Sequence, residues 1–139
     1  MKYLLDTNVV SEFARTNVDP AIVSWLKRTD ELQMAISVVS VGEIQKGISR
    51  MPRGKLQQDL QSWLDSRLIP RFGIRALPLA TSDFQRWGRL LGEATKSGES
   101  LSPVDTLLAA VALNRDLILV TPNTGNFALT GVRIIDPRS

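Results

Sequence analysis

Short apolar runs that break into helical periodicity recur along this chain. Three of the breaks carry a carboxylate: Leu4-Leu5-Asp6-Thr7-Asn8, Val38-Val39-Ser40-Val41-Gly42-Glu43 and Leu101-Ser102-Pro103-Val104-Asp105. Alternation of short buried strands with helices predicts a parallel sheet covered on both faces, because a parallel crossover has to travel back along the sheet and usually does so as a helix. Lys2 to Leu5, Gln33 to Ser37, Ile74 to Leu79, Leu117 to Thr121 and Ile134-Ile135 read as strands. Helices are expected from Thr7 to about Ala14, from Asp19-Pro20 onward and from Ser40 to Arg50. Others follow the turn-forming Arg50-Met51-Pro52-Arg53-Gly54-Lys55, run from Thr81 to near Lys96, and span Ser102 to Asn114. Asp19 suits a cap with Pro20 in the first helical position. Spacing of Leu56, Leu60, Trp63, Leu64 and Arg67 makes the segment after the basic turn the second arm of a helical hairpin.

At 139 residues the chain is one domain, 1–139, without repeats or low-complexity linkers. The apolar run at Tyr3-Leu4-Leu5 is cut by Asp6 too early for a signal peptide, and no stretch approaches a membrane span, so a soluble, cytoplasmic protein without membrane association is expected. There is no His and no Cys. That removes the imidazole base, the thiolate nucleophile and the usual Zn ligands, leaving carboxylate chemistry. Carboxylates are hard oxygen ligands suited to Mg²⁺ or Mn²⁺, ions that handle phosphodiesters and phosphoanhydrides. Arg supplies most of the positive charge behind the net +3, and Arg suits phosphate recognition.

Each acid alone has a plainer explanation as a helix cap. Asp6 precedes a helix start, Ser40 to Glu43 fits a capping box, and Ser102 to Asp105 resembles a shorter version. Capping contributes only about 0.5–2 kcal/mol and is served equally well by Ser, Thr or Asn, so it does not explain acids at all three places. Position does, since ligands of open parallel sheets bind beyond the carboxyl ends of the strands. Three carboxylates converging there at about 6 Å would repel by roughly 8 kcal/mol in total at an effective dielectric near 20. A divalent cation, a proton or an Arg has to relieve that repulsion.

These segments, with Leu119-Val120-Thr121 and the following Pro122-Asn123-Thr124-Gly125-Asn126-Phe127, resemble in order and spacing the motifs of PIN-domain ribonucleases, in particular the VapC toxins of bacterial toxin-antitoxin pairs. The resemblance implies a three-layer α/β/α domain with a mostly parallel central sheet. It implies a Mg²⁺- or Mn²⁺-dependent endoribonuclease that acts on RNA, dimerises and is silenced by a VapB-type antitoxin. It matches Asp6, Glu43 and Asp105 to metal-binding, catalytic acids and Thr7, Asn8 and Thr121 to supporting polar positions. The chain departs from it at a fourth acidic position, where Asn123 and Asn126 stand. An amide oxygen ligates Mg²⁺ without adding charge, so either Asn implies a weaker second metal, and a catalytically impaired module that binds RNA or protein without cleavage is the alternative.

Arg50, Arg53 and Lys55, roughly 10 Å along the helix from Glu43, are the expected RNA contacts, with Arg15, Arg86 and Arg89 as lesser ones. Trp25, Trp63 and Trp87 lie on apolar helical stripes and read as packing residues. A haloacid-dehalogenase-type phosphatase is disfavoured by Asn8, two residues after Asp6 where that chemistry needs a second Asp. A receiver domain is disfavoured by Thr121-Pro122, where it needs a Lys.

Overall fold

The computed structural model describes residues 1–14 and 19–139. Arg15, one of the lesser RNA-contact candidates, lies outside the described residues. Five strands, β1 (Tyr3–Leu5), β2 (Met34–Ser37), β3 (Ala76–Leu77), β4 (Ile118–Val120) and β5 (Ile134–Ile135), form one sheet in the order β3-β2-β1-β4-β5. Every pairing is parallel, with Leu4 opposite both Ala35 and Leu119, and Leu119 opposite Ile134. All strands therefore run the same way, and their carboxyl ends share one edge.

Strand alternation sorts side chains into two cores. Leu5, Met34, Ile36 and Val120 point to a cluster with Val9, Val10, Ile22, Trp25, Ile48, Leu64, Leu68 and Phe72. Leu4, Ala35 and Leu119 point the other way, to Leu77, Leu108, Val111, Phe127 and Val132. The first core is roofed by α1 (Thr7–Ser11), α2 (Pro20–Arg28), α3 (Val38–Ser49), α4 (Lys55–Trp63) and α5 (Ile69–Phe72). The second is covered by α7 (Pro103–Asn114), against which α6 (Thr81–Lys96) packs on the outside. The layers are helix, sheet, helix, as expected. Ala109, Ala110 and Ala112 of α7 are fully buried, which suits a helix that touches both the sheet and α6.

Capping explains several helix starts, but not all those expected. Asp19 accepts from the Ala21 N–H at 2.9 Å with Pro20 in the first turn, as predicted. Helix α3 begins earlier than Ser40: Ser37 is its cap and accepts from the Val39 N–H at 3.1 Å. Ser40 is thus inside the helix, and the Ser40–Glu43 capping box does not form. Helix α1 stops at Ser11, short of Ala14. The second hairpin arm outruns Arg67, passing from α4 through a π-helical turn, Leu64–Leu68, into α5. This wider turn keeps Leu64 and Leu68 both buried. No helix among the described residues is long and apolar enough to cross a membrane.

One buried ion pair fastens the outer helix. Asp83 in the first turn of α6 is fully buried and accepts from the Arg115 guanidinium at 2.7 and 3.0 Å, from the Asn114 amide at 3.0 Å and from the Ala80 N–H at 2.8 Å. Burial alone would raise the Asp83 carboxyl, but these hydrogen bonds and the Arg115 charge outweigh it and hold its pKa below the ordinary 3.8. Arg86, expected as a lesser RNA contact, extends this network by donating from Nε to the Asn114 side-chain oxygen Oδ1.

Removing one member of a buried pair leaves the other uncompensated, so Asp83→Ala should lose about 3 kcal/mol, at the low end for such pairs because Arg115 reaches solvent. The lowered pKa means that Asp83 stabilises the fold above pH 3.8 and that this contribution disappears as pH falls through its lower native value. Urea midpoints of wild type and Asp83→Ala should accordingly differ at pH 7 and converge toward pH 3. A pH-independent difference would contradict this account.

Candidate active site

The three acids lie along the carboxyl edge of the sheet, each delivered by a different element. Asp6 follows β1 directly, Glu43 sits in α3 and Asp105 in the first turn of α7. Asp6 is 5% exposed and is held at both oxygens: Oδ1 accepts from the Thr7 N–H and Oδ2 from the Thr121 hydroxyl, each at 2.7 Å. Thr121 Oγ1 in turn accepts from the Asn123 N–H at 3.0 Å, so the loop after β4 is tied to Asp6 through one hydroxyl. The Thr7 hydroxyl donates to Glu43 Oε1 and lies 2.8 Å from Ser40 Oγ. Glu43 is therefore bound to the residue beside Asp6 rather than to its own helix terminus. Ser102 is the cap of α7 and accepts from the Asp105 N–H at 3.4 Å, so this half of the capping device expected at Ser102–Asp105 is present.

Electrostatics links the acids. Burial raises the Asp6 carboxyl above 3.8; the hydrogen bonds from Thr121 and Thr7 oppose it, and the negative charges of Asp105 and Glu43 push it up further. Asp105 is also raised, by burial, against the Ser102 hydrogen bond. Among the described residues no three acidic side chains close into a cage around a single point. Asp105 and Glu43 nonetheless both press electrostatically on Asp6, and all three side chains offer oxygen donors. Carboxylate oxygens are the donor type of Mg²⁺, which keeps several of its own waters and takes one or two carboxylates from the protein.

Beside the acids, α1, α3 and α4 enclose a cleft of about 440 Å³. Thr7, Asn8 and Glu43 line it nearest Asp6, Ile44, Ile48, Leu60 and Trp63 give it apolar walls, and Lys46 and Arg50 add positive charge. Of the expected RNA contacts among the described residues only Arg50 lines this cleft. Arg53 and Lys55 lie outside it, and Lys55 pairs with Asp59 at 3.3 Å. Lys46 was missed, though it stands one helical turn before Arg50, a spacing that places both on one face. Asn123 and Asn126 are exposed on the loop beyond Thr121, and neither carboxamide makes a hydrogen bond among the described residues.

The fold is thus an α/β domain with an all-parallel five-stranded sheet, buried and half-buried acids along its carboxyl edge and a cleft beside them that carries Lys46 and Arg50. The PIN domain family profile matches residues 3–131, and the chain belongs to that family. It is 31% identical over 134 residues, 96% of each chain, to the plasmid stability protein StbB of Pseudomonas syringae pv. tomato. It is 29% identical over 96% of each chain to the VapC ribonuclease Y4jK of Sinorhizobium fredii. The crystal structure of FitAcB from Neisseria gonorrhoeae superimposes with a TM-score of 0.89 at 28% identity, covering 97% of each chain.

Because Asp6 is raised, its charge opposes folding above pH 3.8, and the penalty lifts as pH falls and the carboxyl takes a proton. In the presence of a chelator, Asp6→Asn should therefore raise the urea midpoint at pH 7, with the gain fading as pH is lowered through the Asp6 pKa. Loss of stability at pH 7 would show that the hydrogen bonds to Asp6 outweigh the repulsion.

Proposed function

We propose that this chain is a Mg²⁺- or Mn²⁺-dependent endoribonuclease and the toxin of a bacterial toxin-antitoxin pair, hydrolysing RNA phosphodiesters with a water nucleophile. The observation that carries this reading is the buried Asp6, doubly anchored and pressed by the charges of Asp105 and Glu43 beside a cleft carrying Lys46 and Arg50. Relatives named VapC ribonuclease and toxin support it.

Asp6, Glu43 and Asp105 are the residues that would hold the ion. Bound there, the ion supplies charge neutralisation at the phosphate and a lowered pKa for the attacking water. Thr121 and Thr7 fix the Asp6 carboxylate so that it needs no reorganisation during the reaction, the condition under which electrostatic stabilisation is most effective. Thr7 occupies Glu43 Oε1 and leaves Oε2 to orient water against the scissile phosphate. Lys46 and Arg50 draw the RNA backbone along α3. The cleft's apolar walls suit the second partner, a VapB-type antitoxin segment that lays apolar side chains along α3 and α4 and places an Arg among the acids. Phe84 and Val104, 47% and 42% exposed beside the half-buried Trp87, are the face through which a homodimer would form.

A second reading, binding without cleavage, is favoured by the amides at Asn123 and Asn126. Cleavage assays separate the two. Asp6→Asn, Glu43→Gln and Asp105→Asn should each lower Mg²⁺-dependent RNA cleavage by orders of magnitude without unfolding the chain. A wild-type rate for Asp105→Asn would remove it from the site, and a wild-type chain that never cleaves would leave only binding. Sedimentation should show a dimer at micromolar concentration that Phe84→Asp converts to monomer; a wild-type monomer would end the dimer proposal.

A further inference from the structure

The cleft beside Glu43 has a neighbour. Trp63 lines it and also lines a smaller hollow of about 130 Å³ whose other walls are Phe13, Arg67, Leu68 and Arg71. Trp63 closes α4, and Arg67 stands on the π-helical turn that follows. Turns of this kind are rare and concentrate at functional sites. Here the turn sends Leu64 and Leu68 into the core while Trp63 stays half-buried and Arg67 exposed.

The three tryptophans are not alike. Trp25 is buried edge-on against Tyr3, and the Trp87 indole N–H donates to the Pro103 carbonyl at 2.9 Å. The Trp63 indole N–H makes no hydrogen bond among the described residues, although the side chain borders both cavities. Arg67 makes no hydrogen bond or ion pair among the described residues either. Arg71, by contrast, is fixed by Glu31, with its Nε 2.9 Å from Oε1, and lies 4.6 Å over the Phe13 ring. The hollow thus combines an aromatic wall, an uncommitted guanidinium and a second guanidinium held in place.

We infer that this hollow is a subsite for a nucleotide flanking the scissile bond of single-stranded RNA, with its base against Trp63 and its phosphate against Arg67. The inference rests on the RNA reading above and names where the strand goes after it leaves the acids. Charge selects the occupant. Among the described residues no acid lines the hollow, Glu31 is already engaged by Arg71 and Arg75, and the cleft on the other side of Trp63 carries Lys46 and Arg50. An apolar protein segment would leave Arg67 unpaired in the interface, whereas an RNA strand supplies both the phosphate and the π-face.

The test measures fluorescence anisotropy of fluorescein-labelled oligouridylates of increasing length on the full chain carrying Asp6→Asn, which prevents cleavage. Affinity should step up about fivefold or more once the oligomer is long enough to reach the hollow, the gain expected for one stacked base. Trp63→Leu and Arg67→Ala should each remove the step and leave shorter oligomers unaffected. Arg67→Ala should also lower the salt slope by about one, and Arg67→Lys should restore it. Trp63 packs against the core, so if Trp63→Leu does not fold the exposed Arg67 decides the matter alone. No step, or a step that survives Arg67→Ala, overturns the subsite. It is equally overturned if the variants keep the step but lose their grip on a co-expressed protein partner, which would assign the hollow to that partner. Cleavage by the wild-type chain is scored separately: a step without cleavage sustains the subsite and removes the hydrolase reading, and cleavage without a step does the reverse.

Discussion

Everything at this edge of the molecule depends on burying one carboxylate, Asp6, at the end of the central strand. Taking a charge out of water is unfavourable unless hydrogen bonds replace the lost solvation. Thr7 and Thr121 replace part of it, one from the residue that follows and one from the end of the neighbouring strand β4. They do not cancel it, because Asp105 and Glu43 add negative charge from two further elements. The fold therefore holds an electrostatic tension at Asp6 beyond what its place as the N-cap of α1 requires.

Parallel pairing makes the convergence possible. With β2, β1 and β4 running the same way, the residues that leave them emerge together, and the helix N-termini of α1, α3 and α7 lie at the same edge. The hydrogen bonds then couple the pieces: Asn123 to Thr121, Thr121 to Asp6, and Thr7 to Glu43 and Ser40. Stability comes largely from elsewhere. The two apolar cores clamp the sheet, and the Asp83–Arg115 network ties α6 to the end of α7 opposite Asp105. This division lets the acids repel one another without the domain losing its cohesion.

The cleft between α1, α3 and α4 carries two chemistries at once. Its apolar walls suit side chains of a protein partner, and its cations suit phosphate.

Element order, the parallel alternation and the three acids were legible from the chain alone, because apolar runs of strand length and helical stripes are local patterns and each acid sits where one gives way to the other. Asp19-Pro20 was legible for the same reason, a cap and a proline being neighbours in sequence. What the acids do was decided only by tertiary contact. Glu43 reads as half of a capping box from its spacing to Ser40, yet Ser37 caps α3 and Glu43 takes its hydrogen bond from Thr7, distant in sequence and adjacent only because β1 and β2 pair. The basic residues divided likewise. Arg50 and Lys46 share the cleft, while Arg53 in the turn and Lys55 at the start of α4 fall outside it, although Leu60 and Trp63 further along α4 line it. Trp63 shows the limit most clearly: its helical spacing predicts packing, and it does pack, but whether such a residue also borders a cavity depends on what the partner helices leave uncovered, which no local pattern records.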